Sequence, residues 1–192
     1  MGSQPDPNAE VDEHGLVIHK HLASVLVVVP SEGFAEQTLR YARSSLFNVS
    51  VNTVSVSAEF DDLLKGSMQD EFQVDMRLNE VKMDDYVGLI VVGGPGSAAL
   101  AENQAVIDLV KAATQQNKLV AAWGESTAVL AQAGVVDKKK VTGAPATRAA
   151  LEKAGAKYKG LQVVVDGKLV TGYDDAAGFR FGKALVQVVA IP

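Results

Sequence analysis

From position 23 onward the chain alternates two hydrophobic rhythms. The run ASVLVVVP over 23–30 is apolar and valine-rich, the pattern of a strand covered on both faces. Residues 33–47 then place Phe34, Leu39, Ala42 and Leu46 at helical spacing. The β-branched stretch VSVNTVSVS over 49–57 predicts the second strand. Residues 59–82 give a weaker pattern, a short helix around 60–64 followed by a strand over 72–78 or only a polar excursion. The rhythm then sharpens: a buried strand over 86–94, a turn into helix at PGSAAL, and a helix over 103–116 with Val106, Leu109, Val110 and Ala113 on one face. A strand follows over 118–123, then a helix over 126–133 that ends at Gly134. The remainder predicts a short β segment at 140–144, a helix at 146–154, a hairpin over 161–173 turning on Asp166-Gly167, and a closing helix over 179–189.

Strands alternating with helices in this way predict an α/β sandwich, a mostly parallel sheet between two helical layers with right-handed crossovers. Such sheets bind ligands beyond the carboxyl ends of their strands, which places the expected site near Gly93-Gly94 and Gly124. With 192 residues, 47% of them hydrophobic, the chain fits one domain over 23–192 that buries roughly 70% of its unfolded surface. Residues 1–22 differ in kind, holding two of the six prolines, several acids and all three histidines. They are expected to form a loosely ordered arm with a short strand at 15–19. His19 and His21 would share a strand face, but with no third ligand evident no metal is expected there.

The net charge of −5 argues against a nucleic-acid partner. The one basic run, Lys138-Lys139-Lys140, reads as a solvated helix end. The absence of cysteine removes disulfides, thiolate metal sites and thiol catalysis together. No stretch reaches the roughly 18 apolar residues of a membrane span, and the N-terminus lacks a charged-then-apolar signal pattern. The expectation is a cytoplasmic protein with no membrane contact.

The segment KLVAAWGESTA, at 118–128, carries the candidate chemistry. A buried strand that turns sharply and opens a helix is where many α/β enzymes hold a nucleophile. Here the turn offers Gly124, Glu125 and Ser126, with Trp123 before them. Ser126 could serve as the serine of a G-x-S-x-A elbow, yet a serine needs a base in reach, and every histidine lies in the first 22 residues. Glu125 could act as a general acid/base on a small carbonyl substrate. The plainer reading is a helix start, with hydroxyls satisfying orphan amides and Glu125 favoured by the helix dipole. VVGGPGSAAL likewise has two readings, backbone amides presented to an oxyanion or a tight strand-to-helix turn. Asp61-Asp62, Asp84-Asp85 and Asp174-Asp175 sit at loop or helix starts, where acids cap and solvate, so no metal site is expected of them either.

Three segments, VVGGPGSAAL, KLVAAWGESTAVLAQAGVVDKKKVT and VVVDGKLVTGYDDAAGFRFGKALVQVV, together resemble the ThiJ/PfpI superfamily, relatives of the class I glutamine amidotransferases. The resemblance spans roughly 23–189. It implies a flavodoxin-like sandwich, commonly dimeric, in a group that includes peptidases, glyoxalases, deglycases, chaperones and regulators. It also lays the family's elbow, A-I-C-H-G-P, over residues 122–127, so the nucleophilic cysteine falls on Gly124 and the following residue, often histidine, on Glu125. The family's acid falls on Ala35 or Thr38 in GFAEQT, and its further histidine on Ala144 in VTGAP. The expectation is a pseudoenzyme: a homodimeric binding or interaction protein without cofactor. Its candidate ligand pocket comprises Gly93, Gly94, Trp123, Gly124, Glu125 and Ser126. Glu125 and Ser126 are the only catalytic candidates, and elbow amides capped by a folded-back Glu125 are a further expectation.

Overall fold

The computed structural model describes residues 23–57 and 63–189. The expected arm and its histidines, the Asp61-Asp62 pair and most of the helix expected at 60–64 lie outside these residues.

The main sheet uses β1 (Ala23–Val29), β3 (Val51–Ser57), β6 (Met76–Arg77), β7 (Gly88–Val91), β8 (Leu119–Trp123), β11 (Val163–Asp166) and β12 (Leu169–Gly172). Its order is β11-β12-β8-β7-β1-β3-β6, parallel throughout except for the hairpin strand β11. Alternation along β1 explains why the sequence shows no polar face. Val25, Val27 and Val29 enter one core, packed with Leu39 and Leu46 of α1 (Glu36–Phe47) and Phe181 and Leu185 of α5 (Gly178–Val188). Leu26 and Val28 enter the other, packed with Val106 and Val110 of α2 (Gln104–Gln115), Leu130 of α3 (Thr127–Gln132) and Leu151 of α4 (Arg148–Lys153). Both faces are therefore dry, as a parallel sheet requires.

Two small additions complete the fold. The pair β9 (Lys140–Val141) and β10 (Lys157–Tyr158) brackets α4. The sheet β2 (Glu32–Phe34), β4 (Leu64–Gly66) and β5 (Glu71–Phe72) forms a flap beside the start of α1. The flap and β6 replace the single strand expected over 72–78, and Leu64 lies in β4, not in a helix. Strands of two or three residues carry too little alternation to be read locally. The PGSAAL segment is a 3-10 helix over Pro95–Glu102.

Candidate functional site

The carboxyl ends of β7 and β8 meet the start of α1, and the turns there are dictated by close backbone packing. Gly94 has φ +112°, and a Cβ on it would collide with the carbonyl of Gly33 and the amide of Ala35. A Cβ on Gly93 would strike the carbonyl of Trp123. The carbonyl of Gly93 accepts the amide of Ala35 at 2.8 Å, and that of Gly94 accepts the hydroxyl of Ser97 at 2.7 Å. The glycine pair thus locks the β7 turn to the start of α1.

Gly124 takes φ +60°, the left-handed conformation of an elbow, at the end of β8. Among the described residues, apart from its own neighbours in the turn, only the amide nitrogen of Gly94, at 3.9 Å, lies within 4 Å of a Cβ built there. The seat for a side chain is present, and the residue on it has none. Its carbonyl accepts the amide of Ala144 at 3.2 Å and the hydroxyl of Thr127 at 2.8 Å, which in turn meets the Thr147 hydroxyl at 2.8 Å. Beside this bridge the Tyr158 hydroxyl donates to the Gly143 carbonyl at 2.7 Å, and burial pushes its pKa above 10.0. The elbow is held by groups that carry no acid or base at neutral pH.

The other candidates divide. Ser126 is wholly buried; its Oγ lies 2.9 Å from the Val91 carbonyl and 2.8 Å from that of Trp123, and accepts the Trp123 amide at 3.3 Å. That hydroxyl pins the end of β8 to β7 and faces no solvent. Trp123 is buried too, its ring edge-on to Phe181 at 5.3 Å, so it belongs to the core and does not line an open pocket. Its indole N–H has no acceptor among the described residues. Glu125 is half-buried; its carbonyl accepts the Thr127 amide, and its carboxylate makes no hydrogen bond or ion pair among the described residues. The expected fold-back of its carboxylate onto the elbow amides is not seen.

Both positions laid on the family's acid are buried. Thr38 donates its hydroxyl to the Asp175 carbonyl at 2.7 Å, so it is committed to α1. Asp175 caps that helix from the far end of the chain, accepting the amides of Gln37 at 3.1 Å and Thr38 at 2.7 Å. Asp174 accepts the Ala176 amide at 3.0 Å. Both acids therefore cap, Asp174 at its own helix start as its position suggested and Asp175 at the start of α1.

One carboxylate near the site was not singled out from sequence. Glu36, at the first turn of α1, is 2% exposed and accepts the Ser67 hydroxyl at 2.9 Å and the Met68 amide at 2.5 Å. It fills the space above Gly66 and ties the flap to α1. A glutamate at an apolar position of a predicted helix was the available signal. Next to it a groove of about 450 Å³ runs between the flap and the turn after Gly94, lined by Gly33, Lys65, Ser67, Gln69 and Pro95. The larger groove, about 780 Å³, lies away from the elbow, along α1 and β3.

The DJ-1/PfpI family model matches residues 23–188. An uncharacterized protein of Methanocaldococcus jannaschii is 34% identical over 170 residues, covering 87% of this chain and 82% of that one. A deglycase of Thermococcus kodakarensis is 26% identical over 116 residues, 60% of this chain and 70% of that one. Among solved structures, a ThiJ/PfpI domain protein from Brachyspira murdochii superposes with a TM-score of 0.82 at 22% identity, covering 86% of this chain and 95% of that one.

Proposed function

Since this chain belongs to the DJ-1/PfpI family and carries glycine where the resemblance lays the nucleophile, we propose that it is a binding or interaction protein without the family's thiol chemistry. The observation that carries the reading is the vacant elbow: Gly124 keeps the left-handed backbone and the clearance of a nucleophile seat but presents no reactive atom. The adjacent hydroxyls are both buried and committed to the main chain, that of Ser126 at the Val91 and Trp123 carbonyls and that of Thr127 at the Gly124 carbonyl. Residues 23–192 contain no histidine or cysteine to activate or replace either. The ligand side of this reading is the groove between the flap and the Gly94 turn, where Lys65, Ser67 and Gln69 surround a space suited to a small polar molecule.

A second reading rests on Glu125. Half-buried beside the seat and without a partner among the described residues, its carboxylate is available to move a proton on a small carbonyl compound. The glyoxalase and deglycase names of the relatives supply the substrate class for a trial. Purified protein is incubated with methylglyoxal at neutral pH and substrate loss is followed against buffer. The expected result is loss at the buffer rate. Clear conversion overturns the non-catalytic reading, and conversion that disappears in Glu125→Gln establishes the second one.

We also propose that two copies associate. Tyr41 and Phe179, 38% and 61% exposed, stack edge-on at 6.2 Å where α1 meets α5, an aromatic pair in water that a second copy would cover.

A further inference from the structure

The first residues of β3 leave one edge of the main sheet open. The carbonyls of Ser24 and Val28 accept the amides of Val87 and Val92, which flank β7, so the even-numbered residues of β1 face β7 and the odd-numbered ones face β3. The even-numbered residues of β3 answer them, and its odd-numbered residues point their main-chain groups outward. At Ser55 that outward side is satisfied: its amide donates to the Asp75 carboxylate at 2.7 Å and its carbonyl accepts the Asp75 amide at 2.9 Å, after which β6 pairs with Val56 and Ser57. At Val51 and Thr53 the outward N–H and C=O meet no main-chain partner among the described residues.

This bare stretch borders the groove of about 780 Å³, to which Leu39, Phe47, Val51 and Phe72 give an apolar lining. Arg43 stands beside it. Its Nε donates to the Thr53 hydroxyl at 3.2 Å, its guanidinium lies 5.0 Å from the centroid of the Phe72 ring, and no carboxylate pairs with it among the described residues. Unpaired strand groups next to an apolar trough are suited to an added strand, and the unpaired cation favours an occupant with acids at one end.

The chain itself carries a segment of that kind at the right place. Ala23 pairs with Val51, so residue 22 joins the sheet at the end where the open edge begins. Passing β3 to reach its outer side means crossing two strand spacings, about 10 Å, which roughly three extended residues span. Before residues 20–22 stands Gly15-Leu16-Val17-Ile18-His19, and before that Glu10, Asp12 and Glu13.

We propose that residues 15–19 add to the open edge of β3 as an antiparallel strand and cover the groove beside α1. The direction follows from connectivity, because a segment that must finish at Ala23 runs toward the first residue of β3, opposite to β3 itself. Alternation sends Leu16 and Ile18 to one face and Val17 to the other, and the acids at 10–13 arrive on the side of Arg43. The docking is independent of the chemistry at the elbow.

The test is hydrogen exchange of the full chain, read by NMR at the Thr53 amide, with the Leu89 amide in β7 as a control for the fold. Thr53 should be protected about tenfold or more over a free amide, to the same degree at every protein concentration. Leu16→Asp combined with Ile18→Asp should abolish that protection and leave Leu89 unchanged, whereas Val11→Asp should leave both unchanged. Should the double variant loosen the whole fold, seen as faster exchange at Leu89, Val17→Pro, which breaks the added strand without adding charge, decides in its place. Exchange of Thr53 at the rate of a free amide in the parent chain overturns the proposal, and so does protection that survives the substitutions. Surviving protection that grows with concentration would assign the edge to a second copy, and protection that does not would assign it to the described residues alone.

Discussion

The amide nitrogen of Gly94 stands 3.9 Å from the point that a Cβ on Gly124 would occupy, with nothing else among the described residues but neighbours in the turn within 4 Å. A Cβ can therefore be placed at this elbow without displacing a described neighbour, and the cost is that of φ +60° on a non-glycine residue, about 1–2 kcal/mol.

Gly124→Cys should fold, with a melting temperature lowered by about 2–6 °C, and its thiol should react slowly with iodoacetamide. Adding Glu125→Gln removes a neighbouring charge worth roughly 1 kcal/mol to the thiolate, so alkylation at neutral pH should rise about fivefold. Equal rates for the single and double variants would mean that the Glu125 carboxylate does not sense the seat, which would remove the basis for the second functional reading.

Glu36→Ala should destabilise the fold by about 2–3 kcal/mol, because the Met68 amide and Ser67 hydroxyl lose a buried charged acceptor. Glu36→Gln, which keeps one acceptor oxygen, should cost less. Hydrogen exchange at the Met68 amide should accelerate in both, more in the alanine variant. Unchanged exchange there would show that the flap is held by other contacts.

Asp175→Ala should cost about 1–2 kcal/mol, the range for loss of a helix cap, measured by urea denaturation. Ala35, the local cap residue, has no side-chain acceptor to take over. A loss below about 0.5 kcal/mol would mean that water caps α1 equally well.

Asp166 titrates below the ordinary value of 3.8, first because it accepts the Lys140 amide and then because Lys139 and Lys140 stand nearby. A carboxylate with a lowered folded pKa stabilises the fold above the unfolded value and loses that contribution as pH falls through the folded one. The difference in stability between the parent chain and Asp166→Asn should thus be constant at neutral pH and shrink below about pH 4. A difference that stays flat down to pH 2 would contradict this assignment.

Light scattering at micromolar concentrations should give a mass near twice 20.2 kDa. Phe179→Glu combined with Tyr41→Lys should shift it to the monomer. A parent mass near 20.2 kDa would exclude the dimer, and a dimer that survives both substitutions would place its interface elsewhere.

The central strands of the main sheet were legible from residue order because β1, β7 and β8 are buried on both faces, whereas the two-residue edge strand β6 was not. ASVLVVVP and KLVAAW needed no neighbour to announce themselves, and Asp166-Gly167 marked its hairpin by turn chemistry. The place of the candidate site follows from the same pattern: the carboxyl ends of β7 and β8 are where the glycines fall, and the absence of cysteine and the confinement of every histidine to residues 1–22 are read directly from the sequence. The roles of the polar groups were not legible. Asp175 caps a helix whose amides lie 137 and 138 residues earlier in the chain, and Glu36 meets Ser67 and Met68 across 31 and 32 residues. Nothing within one element's periodicity records which distant segment returns to a buried polar atom. Ser126 shows the same limit: in sequence it stands where a nucleophile could, and only the approach of Val91 turns it into a buried strut. Apolar burial follows from local rhythm because any dry neighbour will serve, whereas a hydrogen bond or a shared charge needs one particular partner, and only the tertiary fold supplies it.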